Sequence, residues 1–450
     1  MLNRREWLGA GVAASLLGVA RAAPAQGQVA DYKALVCVFL FGGNDGNNMV
    51  VPVDAAHADY QRLRGTLALE RQSLVALPEP AGASRFGLHP SLQPLESLWS
   101  RQRLAVLFNT GALTAPLTRA DYLRGAPRPD NLFSHADQQD FAQALVDGAG
   151  VRSGWGFRTA QQLGLMAEGA LLPSLISLSG NQRFLQGDVR GSLVLPARGN
   201  FGMNGGGTDA ASRARVEAFR ALWAYAAASG AAPIGRQAGE IVGSALSAAS
   251  FVNPILNGSS PFNQPATGAA FAGLKTDVSQ QLLRVARLVE AREAIGNRRQ
   301  IFFVGMGGFD THVNQRADQA RLLGDLAAAL KAFHDATDAM GVADQVTSFT
   351  LSDFARTLQP NNSGGTDHAW GNHQLILGGA VRGGRCHGRF PTLAAGGPDD
   401  AAKEGRWIPS SSCDQYVATL ARWFGVPADA LAEIAPHLRR FDTADLGFMA

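Results

Sequence analysis

Residues 33–41, KALVCVFLF, decide the fold, and they are followed directly by Gly42 and Gly43. After the first lysine the run is continuously apolar, with β-branched and aromatic side chains and no polar alternation. Such a run predicts a strand that is buried on both faces, the kind found in parallel sheets. The two glycines predict a sharp turn where the strand ends.

Similar short apolar runs recur along the chain and predict further buried strands. They cover residues 104–108, 175–178, 301–304, 346–351 and 375–381. Between them, apolar residues recur at helical spacing over 91–101, 277–293 and 317–340. Strands that alternate with helices of this length predict an α/β fold with a largely parallel central sheet flanked by helices. Residues 183–270 are rich in Gly and Ala around a helical stretch at 211–228, and we expect an insertion or cap with loop connections at 202–207, 226–232 and 253–267.

Composition excludes several classes of protein. With 450 residues, 46% hydrophobic and 17% charged, the chain can bury a large core and is not a disordered polyelectrolyte. A net charge of +3 without a Lys/Arg run gives no electrostatic case for nucleic acid or an anionic membrane. No segment reaches the about 18 apolar residues that a membrane span needs. Three scattered cysteines exclude a disulfide scaffold and a CxxC metal site.

The N-terminus has the pattern of an export signal. Residues 3–8, NRREWL, contain a twin-arginine pair, residues 7–20 are apolar or small, and residues 20–25 offer small-x-small cleavage sites. This predicts a signal peptide over residues 1–25 that is read by the twin-arginine (Tat) translocase. An amphipathic first helix is disfavoured because residues 8–20 have no polar face. We therefore expect a periplasmic or secreted protein with one domain over 26–450.

Polar side chains follow three of the predicted strands. The segments are GNDGNN at 43–48, GGFDTH at 307–312 and SDFAR at 352–356, and GGTDH at 364–368 comes shortly after the third. Ligands bind at the carboxyl ends of parallel strands, where loops gather groups from distant parts of the sequence. A single Asp at such a position is also typical of a turn or helix cap. Taken together, the carboxylates and four of the nine histidines (His135, His312, His368 and His373) predict a site for a divalent metal, namely Zn, Mn, Mg or Ca.

A fourth segment, LFSHADQQD at 132–140, enters a predicted helix with Ser134 at its start. Serine at a helix start is usually an N-cap, and the sequence by itself favours that interpretation. The alternative is a nucleophile whose pKa is lowered by backbone N–H groups and a metal.

Beyond these segments, the chain resembles a known family. The leader, FLFGGNDGNNMVVP, LFSHADQQDF with SGWGFR, GGFDTH, and the long segment from SDFARTLQPNN to GRCHGRFP together resemble an exported bacterial family. It is known as domain of unknown function 1501 (DUF1501), and the resemblance runs from about residue 33 to about residue 448.

The family is usually placed in the alkaline phosphatase and sulfatase superfamily, which implies an alkaline-phosphatase-like fold that holds one or two divalent metals. The resemblance implies Asp45 as the early ligand, Ser134 as the nucleophile, Asp310 and His312 as the middle pair, Asp353 as the later Asp, His368 as the last His, and Asp367 and His373 as extra ligands. The chain departs from that pattern at Phe354, where a metal-binding His often stands. The absence of the sulfatase Cys-x-Pro/Ser-x-Arg signature excludes a formylglycine mechanism.

These observations lead to one main functional expectation and two alternatives. We expect an exported metal-dependent hydrolase or transferase that acts on a phosphate- or sulfate-type ester, with Arg356 clamping the anion. A non-catalytic protein that binds or assembles surface polymers is the first alternative, and Phe354 supports it. A serine esterase of the SGNH type is disfavoured because its Gly-Asp-Ser nucleophile would have to precede Gly43–Asp45, where only the leader stands.

Overall fold

The computed structural model describes residues 31–80, 82–146, 153–166, 171–188, 191–202, 209–228 and 232–450. The predicted signal peptide lies outside these residues. Among the helices of the described part, none is long and apolar enough to cross a membrane.

Within this part, the predicted α/β architecture is confirmed. The strands are β1 (Lys33–Leu40), β2 (Val50–Pro52), β3 (Val75–Glu79), β4 (Gly82–Leu88), β5 (Leu104–Gly111), β6 (Leu175–Ser177), β7 (Ser192–Val194), β8 (Arg299–Met306), β9 (Val346–Ser352), β10 (Asn372–Gly378), β11 (Arg385–His387) and β12 (Ser411–Ser412). The main sheet has nine strands in the order β11-β5-β10-β9-β1-β8-β6-β7, with β12 also on β5. Only the pairs that β10 makes with β5 and β9 are antiparallel. Strands β2, β4 and β3 form a separate small sheet.

Helices cover both faces of the main sheet. They are α1 (Gly46–Met49), α2 (His57–Arg64), α3 (Glu96–Ser100), α4 (Arg119–Leu123), α5 (His135–Ala144), α6 (Trp155–Gln162), α7 (Ala210–Ala227), α8 (Pro233–Asn257), α9 (Pro265–Ala270), α10 (Asp277–Glu290), α11 (Arg292–Ile295), α12 (Gln315–Ala339), α13 (Cys413–Phe424) and α14 (Leu431–Ile434). The helix predicted over 91–101 is divided into a 3-10 segment, Pro90–Leu95, and α3, because Pro94 has no N–H to donate.

The central strand shows why an uninterrupted apolar run was needed. Val36 and Val38 of β1 point into one hydrophobic cluster, which includes residues of α10 and α12. Cys37 and Phe39 point into a second cluster on the opposite face, which includes residues of α6 and α13. Successive side chains of a strand alternate between its faces, so both faces of β1 must be apolar.

The segment 183–270 is more helical than the sequence indicated. The predicted helix at 211–228 is present as α7. Residues from 253 onward were expected to form a loop, but α8 continues to Asn257. Val252, Ile255 and Leu256 are buried in the main cluster, and this packing holds the end of α8 in place.

Candidate metal centre

The ends of three neighbouring strands bring the candidate residues to one edge of the sheet. In the parallel pairs, Leu40 of β1 lies opposite both Met306 of β8 and Ser352 of β9. The loops that follow these strands therefore begin at the same level. Helix α5 supplies its first residue to this edge, where the ring of His135 meets Asp353, the residue after β9.

Side chains from three separate segments of the chain meet at the carboxylate of Asp310. One ligand atom from each of His135, Asp310 and His368 lies within 4.8 Å of the others. The Nε2 atoms of His135 and His368 are 3.3 and 3.5 Å from Oδ1 of Asp310. The Nε2 atom of His312 is 3.1 Å from the same oxygen and 2.9 Å from Nε2 of His368.

The other nitrogen of each imidazole, Nδ1, faces an oxygen atom that accepts a hydrogen bond. The acceptors are Asp353 Oδ2 for His135 (2.7 Å), Asp367 Oδ1 for His312 (3.0 Å) and the backbone oxygen of Phe133 for His368 (2.7 Å). Because carboxylate and carbonyl oxygens accept, the proton of each neutral ring belongs on Nδ1. Each Nε2 atom then presents an unshared electron pair to the cluster. Consistent with this, Nε2 of His135 is buried and has no hydrogen-bond partner.

Such an arrangement fits a divalent cation. Unshared pairs on nitrogen and oxygen atoms about 3 Å apart repel one another unless a cation or proton lies between them. A tetrahedral zinc site with bonds of about 2.0–2.1 Å has ligand atoms about 3.3 Å apart. The distances to Oδ1 of Asp310 bracket that value. Imidazole-rich donors favour Zn or another transition metal over Mg and Ca, which prefer oxygen.

Burial and charge also favour neutral imidazole and ionised carboxylate in this cluster. Burial lowers the pKa of His368, although the hydrogen bond to Phe133 opposes the shift. Burial would raise the pKa of Asp310, but the hydrogen bond and charge of Arg356 outweigh it and hold the pKa below its usual value. At neutral pH both groups are therefore in the form that binds a metal.

Arg356 is committed to the protein itself. Its guanidinium donates to the backbone oxygens of Gly42 (2.6 Å), Gly43 (3.1 Å) and Thr366 (2.8 Å), and it pairs with Asp310. The side chain is fully buried. Burial lowers its pKa and the neighbouring aspartates oppose that shift. The structure therefore does not place Arg356 as the anion clamp that we expected.

Asp45 lies outside the cluster. Its carboxylate pairs with Arg64, accepts from Gln315 and caps α1 by accepting from the N–H of Asn47 (3.0 Å). Because both carboxylate oxygens are occupied and the side chain is only 1% exposed, Asp45 is not positioned to bind a metal beside Asp310.

His373 is also separate from the cluster. It is on β10, where Nδ1 accepts from the N–H of Asn109 (3.1 Å) and the ring packs against Phe108 and Phe390. Burial lowers its pKa to about 3. Its surroundings are those of a neutral core histidine.

Ser134 is the N-cap of α5, as the sequence favoured. Its hydroxyl accepts from the N–H of Asp137 (3.5 Å). His135, which follows it, was named in the sequence analysis among four histidines of the predicted site but was given no individual role as a ligand. The signal was present as one of four histidines near strand-end segments, but no spacing distinguished His135 from a surface residue of a helix.

Of the predicted metal ligands, Asp310, His312 and His368 face one another directly. Asp353 and Asp367 lie behind two of the histidines and orient them, in the manner of the carboxylates that support metal-bound imidazoles. Asp353 is further held by the N–H of Gly42 (3.1 Å) and by Gln139 (2.8 Å).

The protein is therefore an α/β protein with a largely parallel central sheet and a His/Asp cluster at the ends of its central strands. The family model described as "Protein of unknown function (DUF1501)" matches residues 32–403, and the chain belongs to this family. No curated protein is significantly similar in sequence. A solved structure, titled "Crystal structure of Ps i-CgsB in complex with k-i-k-neocarrahexaose", is similar over 88% of this chain and 73% of that chain, with 10% identity and a TM-score of 0.32.

Proposed function

We propose that the protein is an exported metal-dependent hydrolase or transferase that acts on phosphate- or sulfate-type esters. In this proposal it belongs to the alkaline phosphatase and sulfatase superfamily and is exported by the twin-arginine pathway to the periplasm or beyond. The observation that carries it is the convergence of His135, His312 and His368 on Asp310, each imidazole with its Nδ1 proton held from behind.

In the proposed mechanism, His135, His368 and Asp310 would hold one divalent metal, which leaves a fourth position for water or an ester oxygen. His312 would contact the carboxylate of Asp310 beside them. When bound, the metal would polarise an ester oxygen and lower the pKa of water. Asp310 and His312 are about half exposed, and their exposure gives an ester in solution access to the cluster. Asp353 and Asp367 keep the imidazoles in the orientation and tautomer that binding requires.

We further propose that water, rather than Ser134, attacks the ester. The Ser134 hydroxyl is engaged in capping α5, where it accepts from the N–H of Asp137. The closed surroundings of Asp45 support a single metal, because its carboxylate is already neutralised by Arg64.

One observation favours the non-catalytic alternative. Arg356, the cation expected to hold the anionic ester, is buried and paired. A protein that uses the metal only to bind or assemble a surface polymer would not need a free cation at this position.

The test measures bound metal and ester hydrolysis on the same preparations. Wild-type protein, a His368→Ala variant and a His387→Gln control are loaded with Zn²⁺ or Mn²⁺ and assayed with phosphate monoesters, phosphodiesters and sulfate esters. His387 bonds the backbone oxygen of Arg382 and is not among the cluster residues. We expect one metal per chain and hydrolysis for the wild type and the control, and neither for His368→Ala. Metal binding without hydrolysis of any ester would favour the alternative, and folded wild type that binds no metal would refute the proposal.

A further inference from the structure

We infer that Arg356 is a positioning residue of the metal centre, which holds the carboxylate of Asp310 in place as a ligand. This inference rests on the proposed function. Asp310 is the ligand on which all three histidines converge, and Arg356 is the cation that contacts it from within the protein.

The two partners of this ion pair are unequally fixed. The side chain of Arg356 is fully buried, whereas that of Asp310 is 48% exposed. Apart from its contact with Asp310, the guanidinium donates hydrogen bonds to three backbone oxygens, those of Gly42, Gly43 and Thr366. The arginine is therefore the anchored partner, and the aspartate is the group whose position it sets.

Arg356 also connects this ligand to a second one. Its backbone forms an isolated bridge with the backbone of His368. Gly42, whose oxygen it binds, lies so close to the backbone of Asp310 that a Cβ on Gly42 would be 2.4 Å from the Asp310 nitrogen. Arg356 thus contacts the side chain of Asp310, the glycine packed against the backbone of Asp310, and the backbone of His368.

The chain provides a matched control in Arg64. Its side chain is also fully buried, pairs with one aspartate and donates to two backbone oxygens, those of Thr357 (2.9 Å) and Leu358 (2.8 Å). The carboxylate that it holds, Asp45, faces no histidine of the cluster. Arg64→Lys and Arg356→Lys therefore remove the same kind of buried contact, but only one of them concerns a ligand.

The experiment measures metal affinity and stability for the wild type, Arg356→Lys and Arg64→Lys. Affinity for Zn²⁺ is measured by competition with a chromophoric chelator, and the coordination of Co²⁺ is followed by its visible absorption. Stability is measured as the Tm of the metal-free protein. Because groups that orient ligands typically change affinity by about 10–100-fold, we expect a loss in that range for Arg356→Lys with an altered Co²⁺ spectrum. We expect Arg64→Lys to lower the Tm but to leave affinity within about twofold of the wild type.

A second variant covers the case in which Arg356→Lys does not fold. Asp310→Glu keeps the charge at a half-exposed position and moves the carboxylate by one methylene, so we expect a folded protein with a comparable loss of affinity. Wild-type affinity in Arg356→Lys or in Asp310→Glu would overturn the inference, as would equal losses in the two arginine variants. If wild-type protein bound neither metal, the proposed function would fail together with the inference, whereas the outcomes above leave it standing.

Discussion

Two aspartates near the ends of neighbouring strands, Asp45 after β1 and Asp310 after β8, have contrasting surroundings. Each pairs with a fully buried arginine, Arg64 for the first and Arg356 for the second. The side chain of Asp45 is 1% exposed and that of Asp310 is 48% exposed. Only Asp310 has imidazole nitrogens within 3.5 Å of its carboxylate.

The difference shows what separates a structural carboxylate from a candidate ligand. Both oxygens of Asp45 accept from donors of the protein, namely Arg64, Gln315 and the backbone of Asn47, and the enclosed side chain is not accessible to a metal. Asp310 accepts from Arg356 and otherwise faces nitrogen atoms that carry unshared pairs. An adjacent arginine is therefore compatible with either role, and the remaining neighbours decide between them.

The largest effect on stability is expected from Asp45→Asn. The amide keeps the shape of the side chain but leaves the buried guanidinium of Arg64 without an anion, which typically costs about 3–5 kcal/mol. Burial already lowers the pKa of Arg64 to about 9, so its charge is not readily supported by its surroundings. Urea unfolding at pH 7 measures the loss.

Metal affinity of the Asp45→Asn protein provides the control for that experiment. We expect it to stay within about twofold of the wild type, because Asp45 does not face the histidines. If Asp45→Asn lost metal affinity but little stability, Asp45 would be a metal ligand and not a structural carboxylate.

Asp310→Asn should change metal affinity more than stability. Replacing the shared carboxylate with an amide removes the anionic ligand, and we expect metal affinity to fall by at least about 100-fold, beyond the range for residues that only orient ligands. Isothermal titration with Zn²⁺ measures this change. Stability without metal should also fall, because the buried guanidinium of Arg356 loses its partner, but by less than in Asp45→Asn, since Asp310 is half exposed and the pair is partly screened. Metal affinity equal to that of the wild type would remove Asp310 from the site.

The fold was predictable from the sequence because its decisive strands carry their own signal. All six apolar runs form strands of the main sheet, and β1, which is buried on both faces, is apolar from Ala34 to Leu40. The exception was the end of α8, where Pro254 and the neighbouring Gly and Ser residues indicated a loop. Long-range burial of Val252 and Ile255 outweighed those local preferences.

The site was predictable only in part. The strand-end position and residue types of Asp310, His312 and His368 were sufficient to identify them as a group. The sequence could not show that Arg64, at the end of helix α2, forms an ion pair with the carboxylate of Asp45. It also could not show that helix α5 places His135 opposite Asp310, because neither contact has a fixed spacing along the chain.

A smaller effect is expected from His373, a histidine with surroundings as closed as those of Asp45. Its pKa is about 3 in the folded protein because of burial, whereas an ordinary histidine has a pKa of 6.5. Below pH 6.5 the unfolded chain therefore binds a proton that the folded chain does not, and stability falls as the pH falls toward 3. The contribution is up to about 1.4 kcal/mol per pH unit, or about 2 kcal/mol between pH 6.5 and 5.

His373→Gln isolates this term, since glutamine can accept from the N–H of Asn109 but does not titrate. Urea unfolding at pH 7 and pH 5 gives the loss of stability on acidification for the wild type and for His373→Gln. Burial also lowers the pKa of His89 and His334 to about 4, but both proteins contain these histidines, so their contributions cancel when the two losses are subtracted. If the wild type and His373→Gln lost the same stability between pH 7 and pH 5, His373 would be protonated at pH 5 in the folded state, and it would then be less enclosed than Asp45.

The smallest effect on stability is expected from Ser134, which lies next to His135 in the chain and caps α5. Ser134→Ala should lower stability by about 1 kcal/mol through loss of the α5 cap, with metal affinity and any ester hydrolysis retained. Ser412→Ala is the matched control, because Ser412 caps α13 by accepting from the N–H of Gln415 (3.0 Å). Similar losses of stability in both variants would assign Ser134 to the helix. If Ser134→Ala still bound metal but lost hydrolysis while Ser412→Ala kept it, Ser134 would be the nucleophile, and the reactive site would include the start of α5 as well as Asp310.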